Sequence, residues 1–286
     1  MLFIREEAVT LQAKSCCMKK VVSILMILTI LLSSCGEYNR VLKLSDYEVK
    51  YSYAKKYYNH RQYNKAASLL EELVPIFKGG TNAEEALYLL ALSYYGEKDY
   101  QTASQYFTTY YTTYPKGEFT EEARYYAGYG YYLDSPDPRL DQKQTYDAIS
   151  QLQLYLEYYP QSERAKTAQD ILFELQEKLA YKELLATRLY YNLGTYMGNN
   201  YQSCVITAEN ALKNYPYSKY REEFMYNILR SKYQLALFSV EEKLQGRYRD
   251  IVDEYYAYLN EYPNGKYLKE AKKYFDYANK RIKSSY

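Results

Sequence analysis

Apolar and small residues recur at helical spacing through most of the chain, and short polar turns interrupt their phase at intervals. The clearest stretch is residues 84–115, EEALYLLALSYYGEKDYQTASQYFTTYYTTYP. Its pattern predicts two helices, Glu84 to Tyr95 and Gln101 to Tyr114, separated by a turn at Gly96-Glu97-Lys98-Asp99 and closed by Pro115.

The same unit recurs on both sides at a shift of 37 residues. Tyr51, Tyr88 and Tyr125 share one column, Tyr58, Tyr95 and Tyr132 a second, and Ala54, Ala91 and Gly128 a third. Tyr63 pairs with Tyr100 and Ala66 with Ala103, while Phe77, Tyr114 and Tyr159 close the second helices. A helix–turn–helix of this length ending in Pro has the tetratricopeptide period. Antiparallel helices approach closely only where one presents a small side chain to a large one, so Ala91 and Ala103 are the expected contact points. One pair buries too little to stand alone, and several must stack around a shared core. The fold expected is an all-α tetratricopeptide-repeat superhelix of about five helix pairs, with a long connecting helix and a C-terminal capping helix.

Taken in order, residues 36–46 have no period and read as a tether. The first repeat runs from Tyr47 to Lys78, and Gly79-Gly80-Thr81-Asn82 turns the chain into the second. The third begins at Glu121, where EEARYYAGYGYY aligns with EEALYLLALSYY, and its turn then expands into an insertion from Leu133 to Gln144. Such an insertion is either a partner contact or a neutral surface excursion. After Tyr159-Pro160 the period breaks, and Ala165, Ala168, Leu172, Leu175 and Leu179 predict one long helix from about Glu163 to Met197. Two degenerate repeats follow, closed by Tyr215-Pro216-Tyr217-Ser218 and Tyr262-Pro263-Asn264-Gly265. The last helix, Tyr267 to Lys283, is rich in Lys and Arg and reads as a polar cap. The division expected is a leader over 1–34, a tether over 35–46, regular repeats over 47–160, and the long helix with the rear repeats and last helix over 161–286.

The N-terminus changes the setting. Lys19-Lys20 followed by the apolar run Val21 to Leu32 reads as a secretory signal, too short to span a bilayer. Leu32-Ser33-Ser34-Cys35 resembles a bacterial lipobox, which predicts cleavage before Cys35 and lipidation of its sulfur; an ordinary signal peptide is the alternative. Acyl chains on Cys35 would anchor the protein without a transmembrane helix. Met18 directly precedes the lysines, so residues 1–17 read as an over-extended start. In lipoproteins of the Bacteroidetes type, surface export goes with acidic residues after the cysteine, and here only Glu37 stands nearby. That favours an outer-membrane anchor facing the periplasm.

Charge and composition narrow the chemistry. The formal net charge of +2 falls to 0 without residues 1–34, which gives no electrostatic footprint for nucleic acid or for an anionic surface. Cys204 is the one cysteine of the folded body, which rules out a disulfide framework, and it falls in the small-residue column, three after Tyr201. The only histidine, His60, lies in a turn, no phosphate loop is present, and acid pairs such as Glu71-Glu72 read as solvated faces. A non-enzymatic protein with no cofactor and no metal is expected. The unusual feature is 43 tyrosines without one tryptophan. Buried tyrosines need partners for their hydroxyls.

Particular residues carry a family resemblance. Pro138-Arg139-Leu140-Asp141-Gln142-Lys143-Gln144-Thr145 leading into Ala148 is similar to a segment marking the third repeat of the BamD family of outer-membrane assembly lipoproteins. So are Tyr159-Pro160-Gln161-Ser162 with Ala165 and Ala168, the run Leu179-Ala180-Tyr181-Lys182-Glu183, Tyr190-Tyr191, and Tyr215-Pro216-Tyr217-Ser218. The resemblance covers nearly all of the chain from Tyr47 onward. It implies a lipid-anchored, non-enzymatic part of the BAM complex, which inserts β-barrel proteins into the outer membrane. Such proteins dock through their rear repeats on the periplasmic domains of the barrel component BamA, and their front repeats receive unfolded outer-membrane proteins. The rival readings are a glycan-capturing lipoprotein paired with an outer-membrane importer and a general envelope scaffold. The first usually carries large insertions and tryptophans, which this chain lacks.

The columns give the site expectation. Tyr51, Tyr58, Tyr88, Tyr95, Tyr125 and Tyr132 are expected to line one peptide groove, and the neighbouring Glu48, Glu85 and Glu122 argue against a carboxylate clamp. The alternative is that these rings pack between helices.

Overall fold

The computed structural model describes residues 36–282, so Cys35 and the leader lie outside the described residues. Among the described residues the chain is helical throughout, with no strand. It divides within one helix, between Ala123 and Arg124, into two compact units.

The first unit holds α1 (residues 36–42), α2 (Tyr47–Asn59), α3 (Tyr63–Ile76), α4 (Ala83–Glu97), α5 (Tyr100–Thr113) and the first turn of α6 (Thr120–Leu133). Consecutive helices pack as antiparallel neighbours, α2 on α3, α3 on α4 and α4 on α5. The expected small column is where they meet, since Ala54, Ala66, Ala91 and Ala103 are fully buried. Leu69, Leu70 and Leu73 of α3 fill the space beside them with Tyr51 and Leu90. Asp46 caps α2, its carboxylate accepting from the amides of Glu48 (3.0 Å) and Val49 (3.1 Å), and Asp99 caps α5 through the amide of Thr102 (3.2 Å).

Two details differ from the sequence pattern. α4 runs through Gly96 and Glu97 and stops at Lys98, which takes the left-handed conformation at φ 66°. Gly96 serves close approach instead, because a Cβ there would stand 2.6 Å from the Tyr63 ring. Residues 36–42 are no loose tether: they form α1, with Val41 buried and Tyr38 set edge-on to Tyr57 at 5.7 Å. Lys50, almost wholly buried, donates to the carbonyl of Leu42 (3.1 Å) and pairs with Glu72 (2.8 Å). Seven residues are too few to display a period, which is why α1 is hidden in the sequence.

The second unit holds the rest of α6, α7 (Lys143–Tyr158), α8 (Ala165–Leu193), α9 (Asn200–Asn214), α10 (Arg221–Leu237), α11 (Glu241–Glu261) and α12 (Leu268–Asn279). Gly128 continues the small column, with Leu152 of α7 against it. The long helix α8 packs against other helices at both of its ends. Its N-terminal half, through Ala168, Ile171 and Leu175, shares a cluster with Tyr125 of α6 and Ala148, Leu152 and Tyr155 of α7. Its C-terminal half meets α9 and α10, where Leu184 joins Val205, Ala208, Phe224 and Ile228. Packing therefore carries α6 and α7 with the rear helices. The insertion is pinned to this unit: buried Gln142 donates to the carbonyls of Asp137 (2.9 Å) and Leu140 (3.1 Å), and Lys178 donates to Ser135 Oγ (2.8 Å).

Candidate interaction site

The tyrosines fall into distinct environments. Tyr51, Tyr88 and Tyr125 are buried, at 2%, 6% and 7% exposure, so they do not line an open groove. Tyr88 stacks on Phe119 at 4.4 Å and donates to Glu122 Oε2 at 2.9 Å. Tyr51 sits edge-on to Phe77 at 5.3 Å, and burial together with the facing Glu85 pushes its phenol pKa up. Tyr125 stacks on Tyr129 (5.5 Å) and meets Tyr155 edge-on (5.4 Å). The tyrosine column thus holds repeat to repeat. The Glu column is its counterpart, with Glu48 receiving both hydrogen bonds from Asn82, at 2.8 and 3.0 Å. Tyr88 and Glu122 are 34 residues apart, and the same separation sets Glu85 near the buried Tyr51 hydroxyl, without a hydrogen bond of normal geometry.

Tyr58, Tyr95 and Tyr132 are half-buried. Tyr58 meets Tyr63 edge-on at 5.5 Å and Tyr95 meets Tyr100 at 5.4 Å, so each pair brackets the turn inside its repeat. Tyr132 donates to Glu174 Oε2 at 2.8 Å, and burial together with that carboxylate pushes its pKa up to about 12. His60 is exposed and ends α2, with its Nδ1 2.7 Å from the carbonyl of Lys56. Cys204 is fully buried, and burial raises its thiol pKa, which disfavours the reactive thiolate. It is a packing residue.

A second tyrosine device closes the repeats. In the first unit Tyr110 donates to Glu84 and accepts from the amide of Phe119 (3.1 Å), while Glu84 also accepts from the amide of Glu118 (2.7 Å). In the second unit Tyr258 donates to Glu222 (2.7 Å) and accepts from the amide of Tyr267 (3.1 Å). Both need the glycine of the Tyr-Pro-x-Gly turn: a Cβ on Gly117 would lie 2.3 Å from Glu84 Oε1, and one on Gly265 2.4 Å from the Tyr258 hydroxyl. At the Tyr159-Pro160-Gln161-Ser162 turn a serine stands in place of the glycine, and Tyr155 donates to Ser162 Oγ at 2.6 Å. Each carboxylate also stands in the first turn of the first helix of its own repeat, α4 and α10, where the helix dipole favours it.

The open apolar surface lies elsewhere, in the second unit. The turn between α8 and α9 presents Tyr196 (67% exposed) and Met197 (89%), and the turn between α10 and α11 presents Phe238 (66%) and Val240 (61%). Met197 is held there by a left-handed backbone, φ 53°, between Gly194 and Gly198, which also have positive φ. Tyr201 lies parallel to Phe238 at 6.3 Å, and both line a cavity with Leu235 and Arg247. An adjoining cavity shares Leu235 and Arg247 and adds Glu209, Lys232 and Asp250. Arg247 is fixed by donating to the carbonyl of Leu235, and Lys232 by Glu254 at 2.7 Å. The result is an apolar pit with fixed charges on one side, the composition of a protein-binding hot spot. Its sequence signal was apolar residues at turn positions, where polar ones are the rule.

The family model for the YfiO outer membrane lipoproteins matches residues 45–243. The chain belongs to this family. The match spans α2 to α10 and the start of α11, and it leaves most of α11 and all of α12 outside. No curated protein matches the chain. For a member of an outer-membrane lipoprotein family it is relevant that, among the described residues, no helix is long and apolar enough to cross a membrane. Among the same residues no group of three or more His, Cys, Asp or Glu side chains could hold a metal ion.

Proposed function

We propose that this YfiO-family protein is a non-enzymatic scaffold of the outer-membrane β-barrel assembly machinery, anchored through acyl chains on Cys35 and facing the periplasm. It docks on a BamA-type barrel component through its second unit and receives unfolded outer-membrane protein segments. The observation that supports docking there is the cavity lined by Tyr201, Leu235, Phe238 and Arg247, with the exposed side chains of Tyr196, Met197 and Val240 on the two turns that flank it. Substrate capture is assigned to the half-buried rings Tyr58 and Tyr95 of the first unit. Rings with hydroxyls suit extended segments bearing aromatic and apolar side chains. Copurification through a mild detergent tests the reading. A BamA-type protein should come down with the chain, and recovery of a polysaccharide importer or a division protein instead would replace it.

A further inference from the structure

The net neutrality of residues 35–286 conceals a local imbalance on α12, the helix beyond the family match. Lys269, Lys273 and Lys280 are exposed and fall on one helical face. None of the three has an ion-pair partner among the described residues. Asp276 lies within this face and pairs with Lys272 on its edge at 3.5 Å, and the other acid, Glu270, is turned to the Tyr226 hydroxyl, so four lysines face one carboxylate. α7 and α8 carry mixed i, i+4 pairs, Lys143 with Asp147 and Lys166 with Asp170, and α12 has one such pair with three further lysines beside it. A terminal cap needs polarity, which mixed pairs supply; it does not need surplus of one sign.

We infer that this lysine face is a contact surface for anionic phospholipid headgroups. The rings of α12 are all engaged inward, Phe275 stacked on Tyr255 (4.5 Å), Tyr274 tilted against Tyr233 (4.6 Å) and Tyr277 edge-on to it (5.1 Å), so the outer face offers no aromatic or apolar anchor. Protein interfaces are depleted in lysine and rely on such anchors. A diffuse anionic surface asks only for cations that reach it on flexible stems. Ala271 and Ala278 are buried against the neighbouring helices, so the helix does not insert, and attraction is electrostatic. The contact is independent of the lipid anchor and of docking on a partner.

The test uses the Cys35→Ser chain without residues 1–34, sedimented with vesicles of phosphatidylcholine alone or mixed equally with phosphatidylglycerol. Each lysine near an anionic surface contributes roughly fivefold to partitioning. The chain should sediment only with the anionic vesicles, less so as salt rises. The Lys269→Gln/Lys273→Gln/Lys280→Gln variant should bind about a hundredfold more weakly, and the corresponding triple Arg variant should bind like the parent. A parent that ignores anionic vesicles, that binds both compositions equally, or that is matched by the Gln variant overturns the inference. The first of these results would leave the face to an acidic protein.

Discussion

Tyr88 of one repeat donates its hydroxyl proton to Glu122 of the next at 2.9 Å, across a separation of 34 residues. Tyr226 makes the same bond to Glu270 in the second unit, with its ring stacked on Tyr267 at 4.3 Å. A ring fills the space between consecutive first helices and its polar tip is satisfied by the neighbour's carboxylate, so tyrosine does here what leucine does in other repeat cores. Tyr88→Phe removes the bond and keeps the ring, and should lower stability by about 1 kcal/mol. Tyr88→Ala also removes the packing and should lower it by about 3–5 kcal/mol. Urea unfolding followed by circular dichroism checks the ratio; equal losses would deny the hydroxyl any role.

The turn glycines give a paired test. Gly117→Ala and Gly265→Ala place a Cβ against the carboxylate and phenol that close the repeat, and each should destabilise by about 1–3 kcal/mol. Gly246, within α11, has nothing within 4 Å of its Cβ position. Gly246→Ala should therefore stabilise, by up to about 1 kcal/mol. Thermal shifts of one sign for all three would contradict the close-approach account.

The small column predicts overpacking. Ala91 and Ala103 have no exposed surface, and replacing either with Leu should lower stability by about 1–3 kcal/mol. Breaking the exposed Lys143–Asp147 pair should change it by under about 0.5 kcal/mol. Unfolding midpoints of the two sets distinguish a fold held by helix contacts from one held by surface charge.

The buried phenols predict an alkaline limit. Burial pushes Tyr132, Tyr215 and Tyr262 each up to about 12, with Glu174, Tyr146 and Glu261 respectively adding to the shift. Unfolded tyrosine titrates near about 10. The folded state holds these protons more tightly, so their contribution to stability is complete below about pH 10 and is lost as pH rises towards about 12. Phenolate absorbance should rise in two stages, with unfolding in the second. A single step near pH 10 in a chain that stays folded would contradict the burial.

Regular features were legible in the sequence because they repeat. The helix pairs, the alanine column and the long helix α8 all follow from period and spacing, and Cys204 fell where a small residue was needed. Features that depend on one contact were not. α1 is seated by Val41, Lys50 and Glu72, residues from three helices with no common spacing. The unit boundary inside α6 reflects which faces of α8 meet α7, and no turn residue marks it. The six-tyrosine groove divided because a column offset identifies a helix face without saying whether the next repeat covers it. Tyr88 is covered and Tyr95 only half covered. The pit around Phe238 needed two turns, near residues 197 and 238, to be brought together by the pairing of α9 with α10.

Docking through the second unit is tested most directly on the full chain, because a cut at residue 160 would strip α7 from Ala168, Ile171 and Leu175. The measurement is the affinity of the periplasmic region of a BamA-type partner for the parent and for the Met197→Ser/Phe238→Ser variant. Both side chains are largely exposed, so the variant should unfold at the parent's midpoint. Its affinity should fall by about 2 kcal/mol or more, at least roughly thirtyfold. Parent-like affinity in the folded double variant would contradict the assignment of the pit as the docking site.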